Sequence, residues 1–196
     1  MIIKNQEIID PNYNNFQVMM SWEKPYMEKC ANILKPHGDV LEIGFGMAYS
    51  ATAINKYPLR SYTVIEKDKH VIKNFNKWKL QQKNKKLKVV EGMWQQQLPF
   101  LDKKYDCVFF DDSPSHEINL NNDIRFTLFI KLLLLKNIKY NTKLVSYGTR
   151  PVVLSGYLAK HFKCRSHKYQ IDIPYYCHYA KGKFMYVNEM IFRKVS

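Results

Sequence analysis

The chain predicts an α/β domain: a mostly parallel sheet with helices on both faces and an antiparallel C-terminal ending. Three observations carry this. Short apolar runs alternate with segments of helical period between residues 39 and 147, the pattern that right-handed crossovers fold into a parallel sheet. The first run, Val40-Leu41-Glu42-Ile43, passes directly into Gly44-Phe45-Gly46-Met47-Ala48, where glycine lets the backbone turn and lie close to a ligand. Beyond residue 150 the chain turns aromatic and strand-like, with a connection containing Pro174 and Gly182.

Taken in order, residues 1–17 are polar, carry the turn signal Asp10-Pro11-Asn12, and are expected to form a mobile lead-in to a domain spanning 18–196. From 18 to 34, Val18, Met19, Trp22, Tyr26, Met27, Cys30 and Leu34 fall on one helical face that Pro25 interrupts or restarts. A strand is predicted over 39–43, a helix over 47–57 that Pro58 stops, and a second strand over 61–66. A helix over 68–81 presents Val71, Ile72, Phe75 and Trp78 on one face. The third strand, 87–90, is closed by Glu91-Gly92-Met93-Trp94, and the fourth, 105–110, runs into Asp111-Asp112-Ser113-Pro114. A helix over 123–136, a strand over 143–147, a helix over 152–161 and strands over 168–173 and 184–192 complete the chain. Each parallel strand then ends on one edge of the sheet, where ligands bind.

The 196 residues make one domain large enough for such a core, and 46% hydrophobic content excludes a disordered chain. No apolar run reaches the roughly 18 residues of a membrane span, and the N-terminus lacks the apolar region of a signal peptide. The scattered Cys30, Cys107, Cys164 and Cys177 read as reduced thiols rather than a disulfide frame or zinc site, so a cytoplasmic, membrane-free protein is expected. The net charge of +14 is compatible with nucleic acid or another anionic partner, and equally with a lysine-rich solvated surface. The lysines follow no Arg-rich tract, which does not favour nucleic acid.

The glycine turn selects its cofactor by what surrounds it. A dinucleotide fingerprint needs a third glycine where Tyr49 stands, and so is disfavoured. Glu66, ending the second strand, can accept the hydroxyls of an adenosine ribose.

Glu42-Ile43-Gly44-Phe45-Gly46 resembles the acidic-x-Gly-x-Gly signature of class I S-adenosylmethionine methyltransferases. Preceded by Trp22-Glu23-Lys24-Pro25-Tyr26-Met27, the stretch Leu41 to Ala48 resembles guanidinoacetate N-methyltransferase and its arginine-methylating relatives. Ile65-Glu66, Gly92-Met93-Trp94, Phe110-Asp111 and Pro114 continue that likeness. It covers roughly residues 18–147 and thins beyond, where Cys177-His178-Tyr179 is similar to a segment near the family's C-terminus.

The resemblance implies a single-domain, Rossmann-like class I fold with a seven-stranded sheet, and S-adenosyl-L-methionine as cofactor. It assigns Glu23 and Asp111 to the substrate guanidino group as the catalytic pair. Glu42, Gly44, Phe45, Gly46, Met47 and Ser50 fall to the methionine-facing loop, and Glu66 with Lys67 to the ribose. Trp94 and Gln95 border the adenine, with Gln95 replacing the family's acidic residue. Met19 and Met27 lie on the sulfonium side.

A guanidinium is planar and protonated at neutral pH, so two carboxylates can grip its N–H fork, aim one nitrogen and accept its proton. Asp112 assists them or caps a turn. In the loop after strand five, Tyr147-Gly148-Thr149-Arg150-Pro151, proline lacks an amide and Arg150 offers a fork to a substrate carboxylate, with Thr149 beside it. The expected substrate is therefore a small or peptide-borne guanidino compound, arginine above guanidinoacetate. The short lead-in leaves the cofactor lid minimal or supplied by a second subunit of a homodimer. The competing readings are a nucleic-acid amino-methyltransferase, for which Asp111 to Pro114 lacks the second proline and stacking aromatic, and an inactive partner subunit.

Overall fold

A computed structural model describes residues 1–4, 7–11, 14–84, 86–112 and 122–193. Ten strands run in chain order: β1 (Ile2–Lys4), β2 (Glu7–Asp10), β3 (Phe16–Met20), β4 (Gly38–Ile43), β5 (Leu59–Glu66), β6 (Leu87–Glu91), β7 (Tyr105–Phe110), β8 (Ile138–Ser146), β9 (Phe162–Gln170) and β10 (Phe184–Phe192). The helices are α1 (Lys24–Leu34), α2 (Tyr49–Ile54), α3 (Lys69–Leu80), α4 (Trp94–Gln97), α5 (Asn122–Lys136) and α6 (Gly156–His161).

β4 is an inner strand, buried on both faces as a strand covered twice is. It pairs in parallel with β5 on one side and β7 on the other, in a seven-stranded sheet of order β6-β5-β4-β7-β8-β10-β9. β10 alone runs antiparallel to its neighbours, Asn188 opposite Ser146 and Ser166. Val40, Tyr62 and Val64 join α1, α2 and α3 in one core, through Tyr26, Leu34, Ile54 and Phe75. Leu41, Ile43 and Ile65 face the other, with Trp94 of α4, Phe129 and Leu133 of α5 and Leu158 of α6. Among the described residues, no helix is long and apolar enough to cross a membrane.

Five expectations are corrected. The lead-in is a small antiparallel sheet, β1-β2-β3, in which Ile8 is completely buried opposite Met19. Helical period over 18–34 is half misleading. Residues 16–20 form β3, Ser21–Glu23 a single 3-10 turn, and Pro25 opens α1, where its missing N–H costs nothing. The helix expected over 47–57 shrinks to α2. β8 starts at Ile138 rather than 143. A bulge puts residues 139–142 opposite Asp106 alone, with Asn141 at φ +65° and Thr142 Oγ1 donating to the Tyr105 carbonyl at 2.7 Å. In the C-terminal part, α6 begins only at Gly156, and β9 runs over 162–170 instead of 168–173. Ser113 and Pro114 of the predicted motif, and Asn12 of the turn signal, lie outside the described residues.

Candidate active site

The C-terminal ends of β4, β5, β6, β7 and β8 border a cleft of about 750 Å³, roofed by Ile8, Phe16 and Val18 of the small sheet. Ile8 and Phe16 bring the lead-in, expected to give only a minimal lid, into the lining of the cleft. The loop after β4 lies against the cleft only because it is glycine. Gly44 (φ +81°) has no room for a Cβ against the Asp111 carbonyl oxygen, and at Gly46 (φ +53°) a Cβ would sit 2.5 Å from Met19 Sδ. The loop is pinned by Gly44 N–H donating to the Ile65 carbonyl at 3.0 Å and Asp111 N–H to that of Ile43 at 3.1 Å.

Glu66, at the end of β5, is bonded directly to this loop and lines the cleft beside it. Its carboxylate accepts the N–H groups of Phe45 (2.9 Å), Lys67 (2.8 Å) and Asp68 (2.9 Å). Of about four lone-pair positions on a carboxylate, roughly one is left for a ligand hydroxyl. Burial raises its pKa, against the pull of those three donors. Beyond β6, Trp94 and Gln95 form the next wall, and the Trp94 indole N–H donates to Asp112 at 2.7 Å. Asp112 is also ion-paired with Arg125, which is 4% exposed and lines the cleft.

The other wall holds the candidate acceptor groups. Glu23, on the 3-10 turn before α1, is 2% exposed. Its Oε1 accepts both the Met20 N–H at 2.8 Å and the Tyr179 hydroxyl, and burial pushes its pKa up to about 7. Asp111 ends β7, and burial, then the charges of Glu23, Glu42, Asp112 and Glu66, drive its carboxyl well above the usual range. The Tyr147 hydroxyl is buried and has no hydrogen-bond partner among the described residues, although its ring lines the cleft beside both carboxylates and packs edge-on to Tyr26 at 5.5 Å. Thr149 and Arg150 are exposed at the mouth.

Of the residues expected at the site, Met19, Glu23, Gly44, Gly46, Glu66, Lys67, Trp94, Gln95, Asp111, Asp112, Thr149 and Arg150 line one cleft. Five do not, each for a physical reason. Glu42 is fully buried beneath the loop, accepts the hydroxyls of Ser50 and Tyr62, and is raised to about 8 by burial, so Glu42 and Ser50 brace the loop from behind. The Phe45 ring turns into the core against Phe75 at 5.2 Å and Trp78 at 5.4 Å, leaving its N–H to Glu66. Met47 donates its backbone N–H to Met19 Sδ at 3.2 Å, and Met27 is fully buried in the α1 core. Asp112 lines the cleft while its carboxylate meets Trp94 and Arg125.

Tyr147, Arg125 and Tyr179 are cleft residues that the site reading missed. Tyr147 is the first residue of the loop already singled out for Thr149 and Arg150. Tyr179 lay inside the Cys177-His178-Tyr179 likeness. Nothing in the sequence marked Arg125.

The walls fit an adenosylmethionine. A Cβ-free loop accepts backbone-close ligand atoms, Glu66 retains a position for a ribose hydroxyl, and the Trp94 edge borders the space beyond. A family model, guanidinoacetate N-methyltransferase, matches residues 12–149. The fold is similar to the S-adenosylhomocysteine-bound methyltransferase PaMTH1 of Podospora anserina (16% identity, TM-score 0.57, covering 94% of this chain and 83% of that one). It is also similar to the O-methyltransferase TomG of Streptomyces achromogenes, solved with S-adenosylmethionine (12% identity, TM-score 0.59, 93% and 85% covered). An rRNA methylase of Streptococcus thermophilus shares the fold at 8% identity and TM-score 0.56, with 87% and 95% covered. With the glycine loop, Glu66 and the two cleft carboxyls in the matched segment, the chain belongs to the guanidinoacetate N-methyltransferase family of class I, S-adenosylmethionine-dependent methyltransferases.

Proposed function

We propose that the protein methylates a nitrogen of a guanidino group, carried by arginine, free or in a peptide, or by a related compound such as guanidinoacetate. The observation that supports this most is the convergence of Glu23 and Asp111, from opposite parts of the chain, on the cleft that the glycine loop borders. Two carboxyls raised by burial, Asp111 also by the charge of Glu23, are costly without a cation between them. A guanidinium relieves that cost, ionises both and offers N–H donors to each.

S-adenosylmethionine, when bound, supplies a methyl whose carbon–sulfur bond breaks, its electron pair staying on sulfur, as the new carbon–nitrogen bond forms. The chain's residues do the rest. Gly44 and Gly46 hold the donor side of the cleft open, and Glu66 holds a ribose hydroxyl. Glu23 and Asp111 aim one acceptor nitrogen and take the proton it sheds. Ile8, Phe16 and Val18 cover the cleft from water. At its mouth Arg150 meets a substrate carboxylate, which favours amino-acid-like acceptors.

Incubating the protein with methyl-labelled S-adenosylmethionine and a panel of arginine, arginyl peptides, guanidinoacetate, agmatine and an oligonucleotide tests the reading by mass spectrometry. The expected result is a gain of about 14 daltons plus the mass of the label on a guanidino compound. Methyl transfer to the oligonucleotide alone, in line with the +14 charge, replaces it with the nucleic-acid reading.

A further inference from the structure

We propose that Tyr179, from the segment between β9 and β10, is a positioning residue. It locks one oxygen of Glu23 so that the other alone is presented to the acceptor nitrogen as its proton acceptor. This rests on the guanidino reading and lies outside the family match, which ends at residue 149.

The geometry is specific. Both donors to Glu23, the Met20 N–H at 2.8 Å and the Tyr179 hydroxyl, fall on Oε1. Oε2 is thus left to the cleft that Glu23 lines. A carboxylate free to rotate offers either oxygen, whereas one held by two donors offers one, in a fixed direction. The segment carrying Tyr179 is itself fastened. The Tyr179 ring stacks on Trp22 at 6.4 Å, one residue from Glu23, and the neighbouring His178 N–H donates to Gln17 Oε1 at 2.9 Å. The C-terminal part of the chain thereby aligns a carboxylate that the N-terminal part supplies.

The step is balanced. As the carbon–nitrogen bond forms, the N–H bond facing Oε2 breaks, its electrons remain on nitrogen, and the proton becomes the Glu23 carboxylic acid proton. Tyr179 neither gains nor loses one. The groups that set the titration of Glu23 are Tyr179 and the Met20 N–H on Oε1, with Asp111, Tyr147, Tyr49 and Cys30 around it. The Tyr179 bond favours the ionised carboxylate, so its loss moves Glu23 further up.

Tyr179→Phe keeps the ring and removes the donor. In kcat/KM against pH from 6 to 9, the acid limb is expected to move up by about one pH unit, with about a tenfold loss at pH 6.5 that narrows towards pH 9. S-adenosylhomocysteine affinity should stay within about threefold, since the change lies on the acceptor wall. An equal loss at every pH makes Tyr179 a packing residue, and an unchanged profile makes the bond irrelevant; either overturns the proposal. A ligand-free readout separates this from failure of the guanidino reading. Carboxyl carbon-13 titration should place Glu23 near pH 7 in the parent protein and higher in Tyr179→Phe. A Tyr179 hydroxyl proton should appear far downfield in the parent protein. If the variant does not fold, absence of that resonance from the parent protein overturns the proposal.

Discussion

The two walls of the cleft are built on opposite principles. The donor wall comes from the neighbouring ends of β4, β5 and β6, and its polar groups are satisfied before any ligand arrives. Glu66 is held by three backbone N–H groups and Gly44 by Ile65. The acceptor wall gathers Glu23, Asp111, Tyr147 and Tyr179 from four distant stretches, Glu23 and Tyr179 being 156 residues apart. It leaves a buried hydroxyl without a partner among the described residues and two carboxyls pushed up by burial. A donor wall so preorganised needs little from its ligand. On the proposed reading a cationic acceptor completes the other wall, and this difference separates the effects of mutations.

The largest effect is expected at Asp111. Asp111→Asn keeps the shape, removes the charge that the proposed function assigns to gripping the guanidinium, and should lower kcat/KM about 10³-fold while S-adenosylhomocysteine binds within about threefold, measured by initial rates and calorimetry. Next is the mirror experiment. Glu66→Gln turns a pure acceptor into a group that also donates towards the backbone N–H groups around it, and should weaken S-adenosylhomocysteine by about 10–100-fold in the same titration. Loss of both properties in either variant would merge the two walls into one unit. Arg150→Ala is milder. It should raise KM about tenfold for acceptors that carry a carboxylate, leave kcat unchanged, and spare agmatine, in steady-state kinetics.

The smallest effect concerns pH and the ligand-free fold. Glu23 and Glu42 have folded pKa values of about 7 and about 8, above an ordinary value of 4.5. The stability each contributes is therefore full below about pH 4.5 and lost as pH rises through 7 to 8, at up to about 1.4 kcal/mol per pH unit per group. The far end of the sheet behaves oppositely. Asp39 is held low by Arg60, Lys103 and Ser61, and Asp106 by the Asp39 N–H, Lys139 and Arg60, so their contribution disappears as pH falls. Thermal unfolding should show a maximum between these limits, and Glu42→Gln should flatten the alkaline side alone. An unchanged alkaline slope would mean that Glu42 titrates normally.

The donor wall was largely legible in the sequence because it is local. A strand, a glycine turn and an acidic strand end follow one another, and β7 and β10 were placed at their true ends. What the sequence obscured came from tertiary packing. Residues 18–20 share a helical period with α1, yet pairing with β2 draws them into a strand. The expected strand started late, at 143, because the bulge places Asn141, a turn-type residue at positive φ, inside the start of β8. On the acceptor wall, Glu23 and Asp111 were found through family likeness. Their raised pKa values, the Arg125–Asp112 pair and the Tyr179 bond depend on distances that periodicity does not encode. Glu42, Phe45 and Ser50 were placed in the right loop but on its rear side, a distinction set by which way each side chain turns.

The central claim, that the acceptor wall is built for a guanidinium, is tested most directly by titrating Glu23 in the S-adenosylhomocysteine complex with and without a saturating guanidino compound, by carboxyl carbon-13 resonance. The account predicts a midpoint near pH 7 without the compound and a fall of at least one unit with it, since the bound cation favours the ionised form. A Glu23 midpoint that stays put while the compound binds would contradict it.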